Sequence, residues 1–202
     1  MNSGPESRQR SRLAALALTT LRVLLAPLLL WLTRAGTAGP SYVACCLAAL
    51  LSDIADGMVA RRAGVDTAGL RRYDSIADTL FYATAAYTVW HVHPEVVRRY
   101  WPGATVVAAL EVTRYLFDLR KFGREASYHA WSAKLWGLSL AAALVAVMGF
   151  GRATPWVPLT IVLGIIADLE GLAISVVLPT WTHDVKSVLH ARPRRTVRQR
   201  FE

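Results

Sequence analysis

Apolar residues fall into six long runs along the chain, at positions 13–32, 41–60, 76–92, 103–119, 131–150 and 155–178, with short polar segments between them. A bilayer core takes about 20 mostly apolar residues per spanning helix, and each run comes near that length. The pattern predicts an all-α integral membrane bundle of six transmembrane helices over residues 13–190. Residues 1–12 read as a flexible cytoplasmic lead and 191–202 as a basic cytoplasmic tail. The breaks carry turn chemistry: Gly36, Gly39 and Pro40 after the first run, Gly64 and Gly69 after the second, His93-Pro94 after the third, and Pro102-Gly103 before the fourth. Thr154-Pro155 opens the sixth run and Pro179 closes it.

Composition agrees. Of 202 residues, 54% are hydrophobic and 18% charged, more apolar than a soluble domain of this length. The formal charge of +9 raises the question of nucleic acid, which the placement of the charge answers. With both termini cytoplasmic, the ends and the loops after spans two and four hold Arg8, Arg10, Arg12, Arg61, Arg62, Arg71, Arg72, Arg120, Lys121, Arg124, Lys186, Arg192, Arg194, Arg195, Arg198 and Arg200. The other side holds Arg34, Arg98, Arg99 and Arg152. That asymmetry is the positive-inside pattern, and it accounts for the charge with no nucleic-acid partner. The tail arginines either sit on anionic lipid or simply fix topology. The first run is too long for the core of a signal peptide, and Arg22 and Pro27 interrupt it. Cys45 and Cys46 point about 100° apart on one helix, so they suit small core positions better than a disulfide or a metal.

The stretch from Ser52 to Leu80 does not fit a purely structural membrane helix. Asp53 and Asp56 are three apart, and Asp74 and Asp78 four apart; on helices each pair shares a face. A hairpin of spans two and three would gather four carboxylates at the cytoplasmic end. Ionised carboxylates at mid-bilayer cost together on the order of 10–14 kcal/mol, so a cation is expected among them. Oxygen ligands with no nearby Cys or His suit Mg²⁺ or Mn²⁺. The alternative is solvated interfacial carboxylates paired with Arg61, Arg62, Arg71 and Arg72. Gly57 and Ala60 would let a ligand approach the backbone, and Arg61 would clamp a phosphate. Metal, small residues and arginine together suit a diphosphate substrate.

Asp53, Asp56, Gly57, Ala60, Arg61, Asp74 and Asp78 stand at the spacings D-x-x-D-G-x-x-A-R, eight residues, G-x-x-x-D-x-x-x-D. In this the chain resembles the CDP-alcohol phosphatidyltransferase family (class I). Thr19, Arg22 and Pro27 resemble that family's first-helix pattern more weakly. Leu70 stands where the second glycine falls, with Gly69 one residue early, and the departure bears on cytidine placement. The resemblance implies transfer of a phosphatidyl or related phospho-alcohol group from a CDP-alcohol, with CDP-diacylglycerol the expected donor, to a hydroxyl acceptor with release of CMP. It implies two Mg²⁺ or Mn²⁺ ions on Asp53, Asp56, Asp74 and Asp78, with Asp78 as general base. It gives CDP binding to Asp53, Gly57, Ala60, Arg61 and Gly69. It also implies a homodimer in the inner membrane with its site open to the cytoplasm.

Other polar residues add a candidate acceptor site. Arg114 and Lys134 lie inside apolar runs, and with Arg120 and Arg124 they would hold an anionic acceptor such as a phosphorylated polyol. The alternative is internal pairing, Arg114 with Glu111 or Asp118 and Lys134 with Asp168 or Glu170. Asp168 and Glu170 face different sides of a helix. Tyr128, His129 and His183 read as interfacial residues, and Trp90, Trp101, Trp156 and Trp181 as interface anchors. Competing functions are a divalent-cation transporter, an inactive relative, or a prenyltransferase, although the last would carry D-D-x-x-D at two sites.

Overall fold

A computed structural model of the chain describes residues 5–37, 39–65, 67–124, 131–180 and 187. The described residues form six α-helices: α1 Pro5–Arg34, α2 Gly39–Ala63, α3 Ala68–Val92, α4 Pro94–Phe122, α5 Trp131–Leu144 and α6 Trp156–Val177. A π-helical turn, Val145–Gly149, continues α5. Four segments are long and apolar enough to cross a membrane: Glu6–Arg34, Gly39–Ala63, Trp131–Gly149 and Trp156–Val177. They mark an integral membrane protein. Helices α3 and α4 have 25 and 29 residues, lengths of about 37 and 43 Å. Charges interrupt their apolar stretches: Arg71, Arg72, Asp74 and Asp78 in α3, and Arg98, Arg99, Glu111, Arg114, Asp118, Arg120 and Lys121 in α4.

The polar lead expected over residues 1–12 is helical from Pro5. Proline suits the first helical position, Glu6 lies in the first turn, and Arg and Gln are good helix formers. Polarity therefore marks where the apolar stretch stops and not where the helix does.

The chain divides into two compact units, residues up to Arg98 with Ala141–Ala153, and Arg99–Leu140 with the residues from Thr154 onward. In the first unit α1 is the centre. Ala15, Thr19, Arg22, Ala26, Leu29 and Thr33, at alternating spacings of four and three, are all buried and form its inner stripe. Leu21, Leu24, Leu28 and Trp31 lie on the exposed side. Both α2 and α3 pack along α1, and their backbones scarcely approach each other. The expected direct hairpin is thus a three-helix arrangement with α1 interposed. Small residues permit it: Cys45, Cys46 and Ala49 on α2, and Ala77 and Ala85 on α3, are buried. The cysteines are free thiols in the core, as their position on α2 predicts. Interhelical hydrogen bonds add register, Thr33 Oγ1 to Thr88 Oγ1 at 2.9 Å and Thr20 Oγ1 to the Tyr73 hydroxyl at 3.0 Å.

In the second unit α6 buries a stripe of small and polar residues: Thr160, Gly164, Ala167, Asp168, Gly171 and Ser175. A Cβ at Gly171 would lie 2.8 Å from Arg114 Cδ, so this glycine makes room for the arginine. Lys121 Nζ donates to the carbonyls of Ser175 and Val176 at 2.8 and 2.9 Å, capping the end of α6. Trp90, Trp101 and Trp156 are exposed, as interface anchors are expected to be, and Trp181 lies outside the described residues.

Candidate active site

The four aspartates converge, and they do so around an arginine. Asp53 and Asp56 come from the second half of α2, Asp74 and Asp78 from the first half of α3. Arg22, on the inner stripe of α1, is 1% exposed and reaches all four. Its Nη1 donates to Asp53 Oδ1 at 2.7 Å and to Asp78 Oδ1, while its Nη2 donates to Asp56 Oδ2 and Asp74 Oδ1. Thr19, one turn earlier, donates its hydroxyl to Asp56 Oδ2 at 2.9 Å. Asp56 is buried, whereas Asp53, Asp74 and Asp78 are half-buried and open on one side.

The partners foreseen for these carboxylates, Arg61, Arg62, Arg71 and Arg72, are all exposed, and each of the four carboxylates forms an ion pair with Arg22. Arg22 is the residue that reading by spacing undervalued. A charged side chain in the middle of an apolar run was the available signal. What the sequence does not give is its depth relative to α2 and α3.

One guanidinium leaves three of the four negative charges formally uncompensated. Asp53, Asp56 and Asp74 can each offer a carboxylate oxygen within 4.8 Å of the others. Hard oxygen donors in this arrangement, with no thiolate or imidazole, fit a divalent ion of the Mg²⁺ or Mn²⁺ class. A narrow cleft adjoins the cluster. Arg22, Asp53, Asp78 and Tyr82 line its polar part, and Cys46, Leu50, Phe81 and Leu144 its apolar part.

The remaining motif residues are placed as follows. Gly57 lies half-buried beneath the Arg61 side chain, and a Cβ there would sit 3.0 Å from Arg61 Nη1. Ala60 is buried in the protein, so it does not share an open face with Gly57. Gly69 is not a turn residue. It is helical, exposed and surrounded by open space, whereas Gly64, earlier in this connection, is left-handed at φ +63°. Thr67 caps α3 by accepting from the Leu70 N–H at 3.2 Å. The early glycine therefore does not turn the loop, because the cap at Thr67 has already started the helix.

The cations expected at the acceptor have separate settings. Arg114 Nε lies 3.4 Å from Asp168 Oδ1, and its Nη2 donates to Glu111 Oε1 at 3.2 Å. Internal pairing thus occurs for Arg114, with Glu111 as foreseen and with Asp168, which had been matched to Lys134. Lys134 is exposed, its ammonium 4.9 Å from the centre of the Trp131 ring. Arg120 and Arg124 are exposed. Glu170 accepts from Ser132 Oγ at 2.5 Å, so Asp168 and Glu170 do have different neighbours. Asp118 and Asp168 each bury an oxygen with no hydrogen-bond partner among the described residues. Tyr128, His129 and His183 lie outside the described residues.

A family model described as CDP-alcohol phosphatidyltransferase matches residues 12–177. No curated protein and no solved structure matches the chain.

Proposed function

Because the chain belongs to the CDP-alcohol phosphatidyltransferase family, whose members transfer a phospho-alcohol group from a CDP-alcohol donor, we propose that it is a phosphatidyltransferase of phospholipid synthesis acting on CDP-diacylglycerol. The observation that carries the reading is the meeting of Asp53, Asp56, Asp74 and Asp78 beside a cleft with one polar and one apolar part.

Asp53, Asp56, Asp74 and Asp78 would hold two Mg²⁺ or Mn²⁺ ions. Held there, such ions would supply positive charge to stabilise the leaving phosphate. Asp78 takes the proton of the acceptor hydroxyl. The hydroxyl oxygen then bonds to the phosphorus carrying the alcohol, the bond to CMP breaks, and CMP leaves. Arg61 holds a phosphate of the nucleotide, with Asp53, Gly57 and Gly69 beside it. Lys134, Arg120 and Arg124 are assigned to an anionic acceptor. Arg114 joins them as the weakest of the four, since two carboxylates already engage it.

We read α3 and α4 as spanning too, which gives six spans and puts both termini and the site on the cytoplasmic side of the inner membrane. The asymmetry of arginine and lysine along the sequence supports this. Assembly as a homodimer is part of the same reading.

The experiment is release of CMP by purified protein from CDP-diacylglycerol, with a panel of polyols and polyol phosphates and mass spectrometry of the lipid product. CMP release with a new phosphodiester is the expected result. Metal-driven ion flux in vesicles without CMP release would establish the transporter reading instead.

A further inference from the structure

Resting on the metal-site reading above, we propose that Arg22 is the resident counter-ion of the aspartate cluster: it holds the four carboxylates together before an ion arrives and competes with that ion for them. Three observations carry this. First, the guanidinium is buried and makes ion pairs with every carboxylate that would ligate the metal. A divalent ion entering the same oxygens either displaces it or binds against a positive charge a few ångströms away.

Second, the charges need a cation whether or not a metal is present. Four carboxylates gathered without one repel, and the first unit contributes Arg22 to the cluster from inside. Arg61, which lies over Gly57, is exposed and is screened by solvent. Third, Arg22 is held by charge and not by a full set of hydrogen bonds. Its Nε is buried with no hydrogen-bond partner among the described residues. A buried donor without a partner disfavours this position, so a stronger cation has less to overcome in displacing the side chain. Two divalent ions with Arg22 would bring the cluster from net −3 to net +1, a charge suited to the diphosphate of the donor.

The test uses the purified full chain in detergent without donor. Mn²⁺ binding is followed by electron paramagnetic resonance of the free ion, and melting is followed in chelator and in Mn²⁺. Arg22→Gln should bind Mn²⁺ roughly tenfold or more tightly than wild type, the effect of removing one unit charge close to the ion at a protein-like dielectric. It should melt below wild type in chelator and gain more from Mn²⁺ than wild type does. Equal or weaker Mn²⁺ binding by a folded Arg22→Gln would overturn the inference. If that variant does not fold without metal, Arg22→Lys decides, since its ammonium reaches fewer carboxylates. It should bind Mn²⁺ more tightly than wild type, and equal or weaker binding overturns the inference. If wild type and variants all fail to bind Mn²⁺, the metal-site reading itself falls and this inference with it.

Discussion

Thr19 on α1 donates its hydroxyl to Asp56 Oδ2 at 2.9 Å, a bond spanning 37 residues of sequence. It fixes the rotamer of the most buried carboxylate in the cluster. Partners of this kind behind a metal ligand are worth roughly 10–100-fold in affinity or activity. Thr19→Val keeps the shape and removes the donor. Its Mn²⁺ affinity should fall about tenfold with little change in melting temperature, as read by titration and thermal unfolding. Unchanged affinity would mean that Arg22 alone positions Asp56.

Chelation should abolish turnover, and Asp56→Asn should lower kcat/KM by at least about a hundredfold, the loss of transition-state stabilisation read from rates. The same variant should melt no lower than wild type in chelator, because it removes one of three uncompensated charges. Full activity in excess chelator would sink the metal dependence.

Arg114 Nε and Asp168 Oδ1 form an ion pair at 3.4 Å, with Asp168 buried. Arg114→Ala leaves Asp168 buried and charged, and breaking such a pair costs about 3–5 kcal/mol. Arg114→Ala with Asp168→Asn should recover a large part of that loss in unfolding titrations. No recovery would place the main role of Arg114 elsewhere, with Glu111 or a bound acceptor.

Lys134 is tested at the acceptor. Lys134→Ala should raise the KM for an anionic acceptor and leave the KM for the CDP-alcohol nearly unchanged, with normal insertion and melting. Loss of donor binding in this variant would remove it from the acceptor assignment.

The connection between α2 and α3 separates its two glycines. Gly64→Ala forces a side chain into a left-handed position and should cost about 1–2 kcal/mol. Gly69→Ala meets open space on a helix and should be neutral or stabilising by about 0.5–1 kcal/mol. Leu70→Gly keeps the backbone bond to Thr67 and should cost no more than about 1 kcal/mol of helix propensity. Comparing melting and donor titrations of the three distinguishes a turn defect from a nucleotide defect.

The aspartate pairs were legible in the sequence because helical spacing decides their faces, and because carboxylates in apolar runs are costly enough to demand a reason. The apolar runs gave all six helices for similar reasons. Two things were not legible. Helix α1 starts at Pro5 among polar residues, since hydrophobic periodicity reports on the bilayer and is silent on helix outside it. The position of α1 between α2 and α3 is set by small residues such as Ala26, Ala77 and Ala85, whose packing has no local signature. Arg22 therefore looked like one intramembrane charge among three, whereas its partners lie 31–56 residues away. Gly69 misled because a glycine in a polar connection resembles a turn, when Thr67 had already ended the turn.

The interposed α1 also has a consequence for biosynthesis. As the chain emerges, Arg22 reaches the membrane before any of its carboxylate partners has been made, at an insertion cost of about 2.5–3.5 kcal/mol. Asp53 and Asp56 arrive with α2 and reverse that charge to a net of −1; Asp74 and Asp78 follow with α3, which brings the cluster to −3. The ion pairs of Arg22 thus make the charge balance of α1 depend on both later helices. A truncation after α2 should leave an arginine matched to two aspartates, a more neutral and more readily inserted intermediate than a truncation after α3 made without metal.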